Sequence, residues 1–369
     1  MSASGNDTFS ARLIAWHRRH GRHDLPWQQD WQALRDPYRI WLSEIMLQQT
    51  QVAAVIPYYR RFLERFPTLP ELAEAPLEDV MGLWSGLGYY ARARNLHRCA
   101  QDVMGRHGGE FPRQPEIIAQ LPGIGRSTAN AIAAFCFGAR VPILDGNVKR
   151  VLCRTHGIEG FPGAPAVEKT LWALAEALMP QHHPSNIATY IQAQMDLGAT
   201  VCTRTRPRCL AAGASCPVAD ICVARSRERI AELPAARPRK VLPQRETRVL
   251  LLLEGGKVLL ERRPPSGLWG GLLSLPELAG GVDPLAHAAQ ALGCKVARLI
   301  ELPPLRHGFT HFQLTLRPLA GEAKLLPHAA EAARYCWLAR AEIGVAALPA
   351  PIRKILAVAF RGEQASVGD

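Results

Sequence analysis

Four cysteines lie close together in the chain, at a spacing that can bind a metal. Cys202, Cys209, Cys216 and Cys222 are separated by six, six and five residues. Four thiolates can close around a tetrahedral zinc ion or an iron–sulfur cluster. Structural zinc usually draws on closely spaced pairs such as Cys-x2-Cys, which this run lacks, so the spacing favours iron–sulfur. Four unrelated core cysteines are the alternative, but the arginines and the proline within 204–208 indicate an exposed loop.

A glycine turn before a helix is a second chemical feature. The segment LPGIGRSTANAIAAF, residues 121–135, places Gly123 and Gly125 ahead of an apolar-periodic helix that begins near Ser127. Backbone N–H groups at such a helix start bind phosphate whatever the nucleic acid sequence. A plain corner between two helices is the alternative.

Two carboxylates occupy contrasting surroundings. Glu44 lies in YRIWLSEIMLQQ, where its neighbours are apolar, and desolvation favours the protonated form of such a carboxyl. Asp145 precedes a short helix in VPILDGNVKRVLCR, where an N-cap role is the simplest interpretation. For Glu44 the alternative is an ion pair with Arg92 or Arg94. A protonated acid beside an ionised carboxylate is the combination that glycosidic cleavage needs.

The elements that must position these groups form two dissimilar parts. A chain of 369 residues exceeds the size at which one hydrophobic core stops growing. Helical periodicity predicts an all-α region over 1–223, and the Arg- and Pro-rich stretch 224–243 predicts an exposed basic linker. Over 244–369, apolar runs joined by Gly255 and Gly256 predict a β-hairpin within an α/β domain.

Composition limits the possible classes of protein. Apolar residues make up 48% and charged residues 21%, which excludes a chain that is disordered throughout. The net charge of +12 favours a polyanionic partner such as nucleic acid. No secretory signal and no apolar stretch of about 20 residues is present, so we expect a cytoplasmic protein. Nine cysteines, most of them isolated, do not fit a secreted disulfide framework.

These motifs, in this order, resemble the endonuclease III superfamily of DNA glycosylases. The resemblance rests on LPGIGRST, DGNVKR and the four-cysteine loop. SEIMLQQTQV (43–52), GLGYYARARNL (86–96) and the GLWGG and FTHF segments are similar to the MutY family of adenine glycosylases. The resemblance implies a helix-hairpin-helix domain with a [4Fe-4S] cluster, linked to a Nudix-like α/β domain. It also implies a monomer, associated with the nucleoid, whose partner is duplex DNA containing A:8-oxoguanine or A:G mispairs.

The resemblance assigns the catalytic roles. Glu44 would protonate adenine at N7 and then activate water, and Asn147 would help to orient the groups. Asp145 would stabilise the oxocarbenium ion, electrostatically or by transient covalent attachment. Bifunctional members carry a lysine where this chain has Ser127, and because a hydroxyl cannot form an imine we predict a monofunctional glycosylase.

The DNA contacts also come from the resemblance. The wedges in the duplex would be Gln49 and Tyr89, although Tyr89 could instead be a core aromatic. The adenine pocket would contain Trp27, Leu47, Val52 and Gln192. The contacts to phosphate would come from Gly123, Gly125, Ser127 and Lys149.

The second domain departs from its relatives in informative ways. It lacks the Arg-Glu-x-x-Glu-Glu segment that would hold magnesium, so nucleotide hydrolysis is not expected. Phe309, Thr310 and His311 match the family's Phe-Ser-His segment that reads 8-oxoguanine, with threonine in place of serine. Adjacent residues of a regular strand face opposite sides, so we expect a turn there.

The four-cysteine loop of the first domain also departs from the family. The middle cysteine spacing is four residues longer than in the family, but all four cysteines are present.

Two other functions remain as alternatives. An endonuclease III-like glycosylase for pyrimidine lesions is one, and Ser127 and the second domain argue against it. A catalytically silent protein that binds DNA damage is the other, and the presence of both Glu44 and Asp145 argues against it.

Overall fold

The computed structural model divides into two compact units. The first combines the described residues of Met1–Glu74 with those of Asn95–Arg239, and the second combines Ala75–Arg94 with the described residues of Lys240–Asp369. The sequence did not indicate that residues 75–94 join the C-terminal part. The structure describes residues 8–28, 36–181, 184–211, 216–238, 241–265, 267–326, 334–344 and 346–365.

Helices make up most of the first unit and a smaller part of the second, where α5, α13 and α14 lie. In chain order they are α1 (Phe9–His20), α2 (Pro37–Leu47), α3 (Val52–Arg65), α4 (Leu69–Glu74), α5 (Leu77–Trp84), α6 (Ala91–His107), α7 (Pro115–Ile118), α8 (Arg126–Phe137), α9 (Gly146–His156), α10 (Pro165–Ala177), α11 (Pro184–Asp196), α12 (Val223–Ser226), α13 (Pro284–Gln290) and α14 (Ala350–Ala365).

Helix α2 is the apolar centre of the first unit. It begins at Pro37, and the side chain of Asp36 caps it by accepting a hydrogen bond from the Tyr38 N–H. Trp41, Leu42 and Met46 are fully buried, and the helix packs against α8. Pro at the first helical position after an Asp N-cap satisfies the helix start. Most residues of this helix are buried, so Glu44 lies beside the core of the first unit.

Part of the stretch expected to be an exposed linker is packed instead. Ala224, Ile230 and Leu233 are buried and form one apolar cluster with Cys222 in the first unit. Two of the arginines between them, Arg225 and Arg227, remain exposed. The many Arg and Pro residues of this stretch predict exposure, but a few apolar residues at wide intervals are enough to pack it. The prediction of an exposed linker is therefore wrong for these residues.

The second unit contains a mixed β-sheet. Its strands are β1 (Gln244–Glu254), β2 (Lys257–Arg262), β3 (Leu273–Ser274), β4 (Glu277–Leu278), β5 (Cys294–Val296), β6 (Ile300–Glu301), β7 (Leu305–Gly308), β8 (Gln313–Leu325) and β9 (Tyr335–Ala339).

Strand β1 lies at the centre of this sheet. It pairs antiparallel with β2, with Leu253 opposite Val258, and parallel with β8, with Val249 opposite Pro318. The predicted hairpin is confirmed, because the two residues between β1 and β2, Gly255 and Gly256, have positive φ values of 54° and 75°. Such values are what a two-residue hairpin turn requires. Strand β9 extends the sheet by pairing antiparallel with β2.

Side-chain bonds attach residues 75–94 to the second unit. The Tyr90 hydroxyl donates to the Leu348 carbonyl over 3.1 Å, and Arg94 Nη1 donates to the Gly270 carbonyl over 2.6 Å. Arg353 Nη2 donates to Ser85 Oγ over 2.8 Å. These partners lie more than 170 residues apart in sequence, so no local pattern indicates them.

Among the described residues, no helix is both long enough and apolar enough to cross a lipid bilayer.

Candidate active site

A broad cleft of about 850 Å³ lies in the first unit. Its walls come from the 3₁₀ turn Pro26–Gln28, from α2, from the starts of α3, α8 and α9, and from α11. The structure brings together around it nine residues that the sequence analysis singled out, namely Trp27, Glu44, Leu47, Gln49, Val52, Ser127, Asp145, Asn147 and Gln192.

Glu44 and Asp145 are the two carboxyl side chains that line the cleft within the described part of the chain. Glu44 projects from the apolar helix α2, and burial raises the pKa of its carboxyl to about 8, with a further rise from the negative charge of Asp145. An ion pair with an arginine would act in the opposite direction on this pKa. The raised pKa of Glu44 therefore supports the prediction of apolar surroundings and argues against the ion-pair alternative.

Asp145 is the N-cap of α9 and has several hydrogen-bond donors. Its Oδ1 accepts from the Val148 N–H over 2.8 Å, and its Oδ2 accepts from Asn147 Nδ2 over 3.3 Å. Burial raises the pKa of Asp145, whereas these hydrogen bonds and the positive charge of Arg150 lower it in part. The N-cap interpretation is thus confirmed, and the cap is also a wall of the cleft.

The surroundings of Glu44 and Asp145 differ, and this difference favours a different charge state for each carboxyl. Two negative charges placed near each other in a partly buried site repel each other strongly, so one carboxyl keeps a proton. Hydrogen bonds from donors stabilise the ionised form, and Asp145 receives them. The geometry therefore favours a proton on Glu44 and a negative charge on Asp145.

Arg150 and Gly198 hold Asn147 in place, and the sequence analysis missed both. Arg150 Nη2 donates to Asn147 Oδ1 over 2.8 Å and to the Gly198 carbonyl over 2.6 Å. Gly198 lies in a single π-helical turn, Leu197–Val201, and a Cβ there would lie 2.5 Å from the Asn147 Cβ. Only glycine allows this approach. Arg150 was visible in the DGNVKR motif, whereas nothing in the sequence marked Gly198.

The glycine turn and its helix are formed as expected. Helix α8 begins at Arg126 with Gly125 as its N-cap, and Gly123 has a positive φ of 78°. Ser127 Oγ accepts a hydrogen bond from the Leu144 N–H over 2.9 Å, which ties α8 to the segment that leads into Asp145. Lys149 Nζ forms a 2.8 Å ion pair with Glu168 Oε1.

The four clustered cysteines line one small cavity in the first unit. Arg154 and the apolar residues Val151, Leu197 and Ile230 complete its walls. Within the described part of the chain, no three His, Cys, Asp or Glu side chains are grouped closely enough to hold a single ion. The four thiols thus share the wall of one cavity.

Arg154 braces this cavity. Its Nη1 donates to Cys202 Sγ over 3.4 Å and to the Thr203 carbonyl over 2.7 Å, and its Nε donates to the Leu233 carbonyl over 2.8 Å. One buried guanidinium therefore links α9 to the start of the cysteine loop and to the packed stretch after it.

Both residues predicted to wedge into DNA adopt left-handed backbone conformations. Gln49, in the turn between α2 and α3, has φ 58°, and Tyr89, in the second unit, has φ 50°. Residues other than glycine adopt this region at a cost of about 1–3 kcal/mol, and they tend to do so at functional sites. Tyr89 is 52% exposed, so the interpretation as a core aromatic is wrong.

The segment predicted to read 8-oxoguanine forms the turn between β7 and β8. The Phe309 N–H donates to the Phe312 carbonyl over 2.8 Å, and the two rings stack with centroids 4.5 Å apart. Thr310 and His311 are exposed at the tip, with Thr310 Oγ1 3.4 Å from His311 Nδ1. The predicted turn is confirmed, and it presents both polar side chains to solvent.

Comparison with known proteins gives two matching families. Residues 42–177 match the HhH-GPD superfamily of base excision DNA repair proteins, and residues 248–358 match the NUDIX domain. The chain is 34% identical to an adenine DNA glycosylase of Buchnera aphidicola over 94% of this chain and 96% of that protein. It is also 34% identical to the adenine DNA glycosylase of Homo sapiens, over 96% of this chain and 74% of that protein.

A solved structure agrees with the helical fold. The structure of a thermostable thymine-DNA glycosylase superposes with a TM-score of 0.50 at 26% identity, over 59% of this chain and 95% of that chain. The helical architecture predicted from the sequence, with its helix-hairpin-helix, is confirmed, as is the Nudix domain.

The raised pKa of Glu44 predicts a pH-dependent stability. In the unfolded chain this carboxyl ionises near pH 4.5, whereas in the folded protein it keeps its proton up to about pH 8. Wild-type stability relative to Glu44→Gln should therefore fall as pH rises through this window, by up to about 1.4 kcal/mol per pH unit. Urea unfolding of both proteins between pH 5 and pH 9 measures this difference.

Glu110→Gln, which alters an exposed glutamate of the same unit outside the cleft, is the matched control. A difference between wild type and Glu44→Gln that stays constant across the whole pH range would contradict a protonated Glu44.

Proposed function

The chain belongs to the family of adenine DNA glycosylases, and we propose that it hydrolyses the N-glycosidic bond of adenine paired with 8-oxoguanine or guanine in duplex DNA. One observation carries the chemistry of this proposal. A buried glutamic acid with its pKa raised to about 8 shares a cleft with an aspartate that is supplied with hydrogen-bond donors. The net charge of +12 suits a polyanionic substrate.

Glu44 acts as the general acid in this proposal. Its proton passes to N7 of adenine, which turns the base into a neutral leaving group as the bond to the sugar breaks. A carboxyl with a pKa near 8 is still protonated at neutral pH and is acidic enough to give the proton up. The resulting carboxylate then takes a proton from the water that attacks the sugar.

Asp145 provides the negative charge for the sugar. As the base leaves, positive charge develops on the sugar ring, and an ionised carboxylate in a poorly solvated cleft stabilises it. Hydrogen bonds from the Val148 N–H and Asn147 Nδ2 favour the ionised form of this carboxyl and hold it in place. Asn147 is itself held by Arg150, so it supports Asp145 from a fixed position.

Ser127 limits the reaction to hydrolysis. An amine at this site could attack the sugar and form a Schiff base, but a hydroxyl cannot. Ser127 Oγ is moreover occupied by the Leu144 N–H. The enzyme is therefore monofunctional, releasing the base and leaving the strand intact.

The remaining residues of the proposal bind and select DNA. An enzyme that acts on a base must first swing it out of the helix. Trp27, Leu47, Val52 and Gln192 line the cleft that would receive adenine, and the strained Gln49 and Tyr89 would enter the gap. The turn around Thr310 would contact 8-oxoguanine, since its hydroxyl is exposed at the tip.

We assign a [4Fe-4S] cluster to Cys202, Cys209, Cys216 and Cys222. All four line one cavity, and an all-sulfur donor set is the usual ligand set of such clusters. When bound, the cluster would order the loop between α11 and α12. Arg154 would stabilise its thiolates by donating to Cys202 Sγ.

The catalytic assignment predicts the outcome of two substitutions. Glu44→Gln removes the proton donor at nearly constant shape and should abolish adenine release while binding to an A:8-oxoguanine duplex persists. Asp145→Asn should lower the rate at least about a hundredfold, since it removes the charge that stabilises the sugar. Alkali-assisted strand cleavage after incubation with A:8-oxoguanine, A:G, A:C and thymine glycol duplexes measures release.

Two positions of the same unit outside the cleft supply controls, the exposed Glu110 and the half-buried Asp102. Glu110→Gln and Asp102→Asn change the same functional groups outside the cleft and should release adenine at the wild-type rate. Near-normal release by Glu44→Gln would overturn the acid assignment, and cleavage of the thymine glycol duplex would favour a pyrimidine-lesion enzyme.

The cluster assignment predicts the colour and metal content of the purified protein. The protein should be brown and should contain about four iron atoms and four sulfides per chain. Cys216→Ser should lose most of this iron, because it removes one of four ligands, whereas Cys336→Ser, outside the cavity, should retain it. A colourless protein with one zinc ion per chain would contradict the assignment.

The turn assignment predicts a selective loss. Thr310→Ala should slow release opposite 8-oxoguanine by about tenfold and release opposite guanine much less, because one hydrogen bond to the lesion disappears. Thr310→Ser keeps the hydroxyl and should behave like wild type. Equal losses on A:8-oxoguanine and A:G duplexes would argue against this contact.

A further inference from the structure

A second buried carboxylate, Asp196, lies beside the cleft at the end of α11. Its Oδ1 accepts from Arg22 Nε over 2.9 Å and from Arg22 Nη2 over 2.6 Å. Its Oδ2 accepts from the Arg22 N–H over 2.8 Å and lies 3.3 Å from His17 Nε2. Burial raises the pKa of Asp196, but the contacts with His17 and Arg22 outweigh burial and lower it overall. This carboxylate is ionised and rigidly held.

Asp196 Oδ1 also accepts a hydrogen bond from Gln192, a residue that lines the cleft. Gln192 lies one helical turn before Asp196, and its Nε2 donates to Asp196 Oδ1 over 2.9 Å. An ionised carboxylate only accepts hydrogen bonds, so the amide nitrogen of Gln192 must point to it. The amide oxygen of Gln192 then points the other way, and within the described part of the chain it accepts no hydrogen bond. Gln192 lines the cleft.

We propose that Asp196 is a positioning residue that fixes Gln192 with its amide oxygen toward the bound base, so that the cleft selects a purine with an amine at C6. This inference rests on the proposed function. Adenine carries an amino group at C6, which donates to an oxygen, whereas hypoxanthine and guanine carry a carbonyl oxygen there. Two acceptors facing each other leave a buried polar pair unsatisfied, which costs free energy of binding.

Removing the carboxylate should weaken this preference. In Asp196→Ala the guanidinium of Arg22, which shares Asp196 Oδ1 with Gln192, loses this acceptor, and a guanidinium only donates hydrogen bonds. The Gln192 amide then turns its oxygen to Arg22 and its nitrogen to the cleft. An amide nitrogen accommodates the carbonyl of hypoxanthine and disfavours the adenine amine.

The experiment compares release of adenine and of hypoxanthine, each opposite 8-oxoguanine, under single-turnover conditions. We expect the wild-type preference for adenine to fall about tenfold in Asp196→Ala. Gln192→Met, which removes the amide at similar volume, should lose the preference to a similar extent. The double variant should lose no more than either single one, since Asp196 acts through Gln192.

Asp102→Ala, which removes an aspartate of the same unit outside the cleft, is the matched control and should keep the wild-type ratio. A folded Asp196→Ala with an unchanged ratio would overturn the inference, as would losses in the two single variants that simply add. A wild-type protein that releases no adenine would instead refute the proposed function.

If Asp196→Ala does not fold, the side-chain amide of Gln192 decides the question in the wild-type protein. Its ¹⁵N signal is assigned by its disappearance in Gln192→Met. An amide bound to a carboxylate should show one slowly exchanging proton, with or without DNA. Two rapidly exchanging protons would overturn the inference.

Discussion

The site depends on the electrostatic repulsion between two carboxyl groups that line one cleft, Glu44 and Asp145, of which Glu44 keeps a proton. Charging both Glu44 and Asp145 would place like charges in one poorly solvated cleft, where their repulsion is weakly screened. The protein resolves this conflict by giving hydrogen-bond donors to Asp145 and apolar surroundings to Glu44. The acid and the anion of the proposed reaction are thus defined by their surroundings, since both are ordinary carboxylic acids.

The helices that carry Glu44 and Asp145 maintain the difference between the surroundings of the two carboxyl groups. Glu44 lies on a helix in which Trp41, Leu42 and Met46 are fully buried, so much of its surroundings is apolar. Asp145 cannot turn away because it caps α9, and Asn147 beside it is bound by Arg150. The close approach of Gly198 to Asn147 packs the π-helical turn onto this arrangement. The turn thus lies where a π-helical distortion often marks a functional site.

In the further inference, Asp196 plays a similar part in recognition of the base. The Asp196 carboxylate only accepts hydrogen bonds, so it binds the amide nitrogen of Gln192. The amide oxygen of Gln192 is then the atom that faces the cleft. Catalysis and base selection would then both rest on buried anions whose partners are fully specified. In the second unit, the turn at Thr310 differs in kind, because its polar side chains are exposed and supported by stacking of Phe309 on Phe312.

Features that depend on neighbours in sequence were predictable from the sequence alone. The Asp36 cap, the glycine turn before α8, the hairpin at Gly255 and Gly256, and the turn between β7 and β8 all follow from local backbone preferences. Motif order was enough to predict the family, the two fold types and the residues around the cleft.

Only the tertiary structure decided which distant groups meet. It attached residues 75–94 to the second unit through Tyr90 and Arg94, and it buried Leu233 in a stretch whose composition resembles a linker. It also brought Asp196 onto Arg22, which lies 174 residues away in sequence. Such contacts depend on how helices pack, and no periodicity or spacing in a single chain encodes which buried polar group will satisfy another.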